Sequence, residues 1–186
     1  QNQPVAWKLE PQDTLSITAD GSTDWFIDPN GTFTKGNAPS ALFTPPDANF
    51  ILSARVTVGF AATYDAGVLR IHNSDDVWAK LCFEYSPQGK PMVVSVVTRG
   101  FSDDCNSTVI DGDTVYLRIS RNEQTFAFHY SRDAHAWNLV RYFGLGTLDA
   151  VQIGFSSQSP TGQQCTASFT EIQYRSGVLA DIRSTD

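Results

Sequence analysis

The sequence predicts an all-β chain folded as a two-sheet antiparallel sandwich, and three observations predict it. Short apolar-alternating runs are followed again and again by turn-forming residues, the pattern of an antiparallel β protein. Each run carries one apolar and one polar face, as expected of sheets buried on one side and wet on the other. Aromatic residues are plentiful, with 12 Phe, 6 Tyr and 4 Trp, which suits side chains interleaved between two sheets.

Taken in order, weak strands are predicted at Leu15–Ala19, Phe26–Asp28 and Phe50–Leu52. Clearer ones follow at Ser53–Ala61, Gly67–His72, Val77–Tyr85, Met92–Arg99, Thr114–Ser120, Thr125–Tyr130, Val151–Ser156 and Ala167–Tyr174. Asn73-Ser74-Asp75-Asp76, Ser86-Pro87-Gln88-Gly89-Lys90, Asp111-Gly112-Asp113 and Arg121-Asn122-Glu123 supply the turns between them. Val77, Ala79, Leu81 and Phe83 mark the core face of one strand, and Trp78, Lys80 and Glu84 its other face. The polar faces elsewhere carry Arg55, Arg70, His72, Arg99, Tyr116, Arg118 and His129. Helix signals are thin: Gly177–Ser184 is read as a short terminal turn or helix, and Asp133–Val140 as a turn entering a strand.

The 186 residues fit one domain, with a core from about 13 to 175 and a short C-terminal tail. A hydrophobic share of 41% can build a core, so disorder as the overall state is excluded. With 13 basic and 20 acidic residues the net charge is -7, and no Lys/Arg run exists, which argues against nucleic acid as a partner. No apolar stretch approaches the roughly 20 residues of a membrane-spanning helix, so no membrane partner is expected. The chain begins at Gln1 and its only methionine is Met92. A removed export signal explains that, as does simple trimming, and compartment stays open with export favoured over the cytoplasm.

Residues Gly67 to Arg99 read as three consecutive strands. Paired as a meander, one register sets His72 beside Trp78 and Trp78 beside Arg99, with Lys80 near Arg70, Cys82 near Ser95, and Glu84 following on the same face. An exposed indole offers a flat face to a pyranose ring, and Lys80, Arg99, Glu84 and His72 supply donors and acceptors for hydroxyls. Equally, Arg99 stacked on Trp78 is an ordinary cation–π pair that stabilises a sheet without any ligand.

Asp103-Asp104 follows directly on this face. Calcium is the one cofactor the sequence suggests, through these two carboxylates, although a polar loop capping its own turns has the same composition. No His/Cys cluster has zinc spacing, and no nucleophile elbow or phosphate-cradling glycine loop is present. The Glu-x-Asp-x-x-Glu strand of laminarinase-type enzymes is also absent, leaving Glu84 with Asp103 or Asp104 as the sole carboxylate pairing for hydrolysis. Cys105 and Cys165 are both expected in loops and form the better disulfide candidate. Three free thiols are the alternative, with Cys82 a small buried filler.

Several blocks carry a family resemblance: Thr23-Asp24-Trp25-Phe26-Ile27-Asp28-Pro29, Asp65-Ala66-Gly67-Val68, the run from Val77 to Gly89, Met92 to Arg99, Ser102-Asp103-Asp104 and Ser159-Pro160-Thr161-Gly162. Together they resemble a domain-of-unknown-function family of concanavalin A-like fold that includes the fungal regulator of enolase. The resemblance implies a jelly-roll sandwich and carries over Trp25, Asp28, Trp78, Lys80, Glu84, Arg99, Asp103 and Asp104. Related domains occur attached to sugar-cleaving enzymes, which implies binding of carbohydrate or another small polar ligand without catalysis. The expected site is then Trp78, Lys80, Glu84, Arg99 and His72, rimmed by Asp103 and Asp104. The alternatives are a protein partner, as in regulation of a metabolic enzyme, and a glycoside hydrolase or lyase using Glu84.

Overall fold

The computed structural model describes residues 1–11 and 14–183. The predicted core boundary at Asp13 and the end of the predicted tail segment at Ser184 lie outside the described residues. The strands are β1 (Ala6–Glu10), β2 (Thr14–Asp20), β3 (Trp25–Ile27), β4 (Thr34–Gly36), β5 (Ser40–Phe43), β6 (Phe50–Val58), β7 (Ala66–His72) and β8 (Val77–Tyr85). They continue with β9 (Pro91–Arg99), β10 (Phe101–Val109), β11 (Thr114–Asn122), β12 (Thr125–Ser131), β13 (Trp137–Gly144), β14 (Gln152–Gln158) and β15 (Gln164–Ser176). Among the described residues there is no helix, so none is long and apolar enough to cross a membrane. The stretch from Gly177 to Arg183 consists of bends, a turn and irregular chain instead of the short helix considered above.

Two antiparallel sheets face each other, a jelly-roll sandwich of concanavalin A-like type. One has seven strands in the order β1-β2-β15-β6-β11-β12-β13; the other has six, β10-β9-β8-β7-β14-β5. Leu69, Ile71, Ala79, Leu81, Phe83 and Ile153 of the six-stranded sheet meet Val56, Leu117, Phe128 and Phe169 of its partner. Burying each large apolar side chain of this kind contributes about 1.5–3 kcal/mol, so the alternation seen in the sequence is what fixes the sandwich. Gly67 sits where the sheets come closest: a methyl group there would lie 2.6 Å from Val56 Cγ1 and 2.9 Å from Val58 Cγ2.

The open side of the sandwich is clasped by charge. Arg141 on β13 reaches Asp103 on β10 at 2.8 Å, and the Arg99 guanidinium donates to the Gly144 carbonyl at 3.4 Å. Both bonds run from one sheet to the other.

A third layer is the β3–β4 hairpin, of which the sequence prediction held only the weak strand at Phe26–Asp28. It lies on the outer face of the six-stranded sheet, where Trp25, Ala38, Trp78 and Val96 form a second apolar cluster. The expectation that this face is wet is therefore corrected: Trp78 and Arg70 are fully buried, as the hairpin spreads an indole over them.

Candidate functional site

The pleat sets which side chains share the outer face of the six-stranded sheet. Pairing aligns Arg70 with Lys80, Lys80 with Val96 and Val96 with Asp104, so one row crosses four strands. A parallel row aligns Gln158 with Ala66, Ala66 with Glu84 and Glu84 with Met92. Between them, Cys82 and Val94 form an apolar floor. The β3–β4 hairpin walls this area on one side, and the loop around Tyr64 walls it on the other.

Their meeting leaves a pocket of about 210 Å³ lined by Lys80, Glu84, Asp104, Asp24 and Gln158, with Phe26, Phe33, Tyr64 and Val96. Lys80 is its fixed point. The ammonium donates to Asp24 Oδ1 at 2.8 Å and to Gln158 Oε1 at 2.9 Å, and the residue is 3% exposed. Burial is the largest influence and works against that charge, but Asp24, Cys82 and Glu84 together outweigh it and hold Lys80 above its usual range. Gln158 is oriented in turn by donating its amide to the Tyr64 carbonyl at 3.3 Å.

Glu84 is nearly as deep. Burial pushes its carboxyl up to about 8, Lys80 opposing and Asp104 and Asp24 adding to the rise. Near neutral pH it is therefore chiefly an undissociated acid, able to donate as well as accept. Asp104, exposed at the pocket mouth, is also raised, first by desolvation of its inward side, with Lys80 pulling it back. Phe33 is 50% and Tyr64 40% exposed, and Phe33 stacks on Phe26 with ring centres 5.9 Å apart. The turn that presents Phe33 is held by Asp28, whose carboxylate accepts from the Thr32 backbone amide and hydroxyl; those two bonds keep it below the usual carboxylate range.

Of the residues expected from sequence, Lys80, Glu84 and Asp104 line this pocket. His72 does not: its Nδ1 accepts from the Arg70 guanidinium at 3.0 Å, and its ring packs edge-on against Trp25. Trp78 cannot stack on a sugar, because it lies beneath Trp25, 6.0 Å away in a T-shaped contact. The Arg99–Trp78 pair is corrected by the register. Trp78 opposes Thr98 and Arg99 opposes Val77, so Arg99 points toward the other sheet. The cation–π contact that does form is Arg70 over Trp25, at 3.3 Å. In the same way Cys82 opposes Val94 and not Ser95.

Asp103 is corrected as a rim residue, since it leaves β10 on the face opposite Asp104 to meet Arg141. The two carboxylates diverge, and among the described residues no group of three or more His, Cys, Asp or Glu side chains is placed to hold a metal ion. The Cys105–Cys165 disulfide is also corrected. Cys105 is exposed on edge strand β10 of one sheet and Cys165 is buried in β15 of the other; with Cys82, all three thiols are free. Sequence reasoning missed Asp24, Gln158, Phe26, Phe33 and Tyr64 as site residues. Asp24 stood in a quoted block, yet nothing along the chain pairs it with a lysine 56 positions on.

The family model for a protein of unknown function, DUF1349, matches residues 1–177. The chain belongs to this family. No curated protein matches this DUF1349 chain. It is similar to the crystal structure of a functionally unknown protein from Saccharomyces cerevisiae, with 22% identity, a TM-score of 0.85 and coverage of 96% of each chain. It also resembles a xylan beta-1,4-xylosidase from Bacillus halodurans, at 13% identity and a TM-score of 0.72, covering 91% of this chain and 34% of that one. An alginate lyase from Klebsiella pneumoniae matches at 14% identity and a TM-score of 0.61, covering 92% and 84%. At these identities the likeness is one of fold.

Proposed function

We propose that this DUF1349 domain binds carbohydrate without catalysis, through the pocket of Lys80, Glu84, Asp104, Asp24 and Gln158. One observation carries the reading: a rigid floor of buried donors and acceptors lies directly beneath two exposed aromatic rings, Phe33 and Tyr64. Sugar recognition uses that combination, with flat apolar surface for the ring face and fixed polar groups for the hydroxyls. A pocket of about 210 Å³ is below the usual range of roughly 300–1,000 Å³ for drug-sized ligands and suits one small polar ring. Trp78, expected to stack on the ligand, acts here as the support on which the Trp25 hairpin rests. The fold likeness to a xylosidase and an alginate lyase supports the substrate class by analogy.

A glycan-array screen of wild type with Phe33→Ala and Glu84→Gln tests the reading. Selective binding, weakened at least tenfold in both variants, is expected. Silence across the array, or binding that both variants retain, rejects it and turns attention to a protein partner.

A second reading has its own observation: Glu84 and Asp104 both line the pocket, and both are raised above ordinary carboxyl values. A carboxylic acid held protonated beside a second carboxylate is the equipment of a glycoside hydrolase or lyase. Release of reducing ends or unsaturated products from a polysaccharide panel, abolished by Glu84→Gln, is its signature. Absence of turnover dismisses it.

A further inference from the structure

The outer face of the seven-stranded sheet holds a second cavity, of about 590 Å³, on the opposite side of the molecule from Lys80 and Glu84. Its floor is a row set by strand pairing, Gln173 beside Ser53 and Ser53 beside Arg118; His129, next in the row, lies outside the cavity, buried beneath the Ile182 carbonyl at 2.8 Å. No carboxylate stands in that row. Arg118 is only 6% exposed. Its guanidinium lies 4.2 Å from the Trp137 ring centre, stacked against the indole, and its buried Nε has no hydrogen-bond partner among the described residues.

Arg175 lines the same cavity from β15. Burial first, and Arg175 second, push the Arg118 guanidinium down to about 10. The one acid in the lining, Glu171, is engaged elsewhere: it accepts from the Tyr116 hydroxyl at 3.1 and 3.2 Å and pairs with Arg55 at 3.9 Å. It is turned that way by a bulge, since the register of β15 shifts between Thr170 and Gln173 and Glu171 takes a φ of 50°. Bulges that re-aim a side chain, and non-glycine residues held at positive φ, gather at functional positions.

We propose that this cavity is a second binding site, for a carboxylate-bearing, polyhydroxylated ligand of the uronic-acid class. A planar guanidinium fixed by an indole presents parallel N–H bonds that match a carboxylate and not a lone hydroxyl. Arg175 adds the second positive charge at the rim. Ser53 and Gln173, flanking Arg118 in the row, present a hydroxyl and an amide to the ligand's own hydroxyls. In a chain of net charge -7, two arginines converging on one cavity form a local reversal of sign that draws an anion to this face. The site stands independently of the carbohydrate pocket on the other sheet.

The indole signals separate the two sites. Trp137 donates its N–H to the Ala134 carbonyl at 3.1 Å in the wall of this cavity, whereas Trp25 and Trp78 lie beside the first pocket. We expect titration with D-glucuronate, followed by amide and indole NMR, to shift Trp137 and D-glucose to leave Trp137 unmoved, while any response of Trp25 and Trp78 reports on the first pocket alone. Arg175→Gln, at an exposed position that does not threaten the fold, should weaken glucuronate at least tenfold, and Arg118→Lys should weaken it further. No shift at Trp137, equal shifts with glucose, a response to inorganic phosphate alone, or unchanged affinity in Arg175→Gln would each overturn the assignment.

Discussion

Replacing Glu84 with glutamine probes the electrostatics of the first pocket. Glu84 is 8% exposed, and burial raises its carboxyl from an ordinary 4.5 to about 8. Because the folded value lies above the unfolded one, the fold favours the protonated acid. Its contribution is fully present below about pH 4.5 and is lost as pH rises through about 8. At about 1.36 kcal/mol for each pH unit, the gap corresponds to about 5 kcal/mol at most. The pocket side of the carboxyl faces water, which screens the charge, so we expect about 2–3 kcal/mol. Glutamine keeps the size of the side chain and cannot ionise.

The assay is urea unfolding of wild type and Glu84→Gln at about pH 5, 6.5 and 8, analysed as two-state. The variant should gain on wild type steadily with pH, by about 2–3 kcal/mol across that range. His129 works in the other direction. Burial lowers it from 6.5 to about 4, so its contribution is present above 6.5 and is lost as pH falls through about 4. Both proteins share that term, and it cancels from their difference. A difference that stays flat between pH 5 and 8 would refute the argument that Glu84 is a buried, protonated acid.

Other outcomes follow from the packing. Trp25→Ala should cost about 3–5 kcal/mol in chemical unfolding, since it removes the indole that covers Arg70 and Trp78. Gly67→Ala should cost about 1–3 kcal/mol by overpacking, because the added methyl meets Val56, Val58 and Ala167 at 3.0 Å or less. In native protein a thiol reagent should modify Cys105 quickly and reach Cys82 and Cys165 only on unfolding, and mass spectrometry should find no cystine.

The strands with clean alternation were legible from sequence alone: Val77–Tyr85 appears with the predicted bounds, and His72–Trp78 and Arg70–Lys80 pair as expected. The β8–β9 register was not. Apart from Ser95, Met92 to Val97 is apolar on both faces because both are buried, so periodicity could not say which way Arg99 points. Strand β10 escaped because it is an edge strand, polar and mostly exposed, and its Ser, Asp and Asn residues read as loop. The covering hairpin was the largest omission. Its first strand was legible as the weak strand at Phe26–Asp28, but its three-residue partner β4 carries too little pattern to detect, and nothing along the chain showed that the pair buries the face the sequence left open to solvent.

The order of strands in the two sheets has a consequence for how the chain is made. Strand β15, last in sequence, fills the gap between β2 and β6, and β14 fills the gap between β7 and β5. Until both have been synthesised, each sheet is split, and the unfinished chain carries four open strand edges flanking apolar surface. Productive folding must wait for the C-terminal end, through contacts as distant as Ser16 with Ser168. Such topology folds slowly and leaves the growing chain dependent on being kept from aggregation.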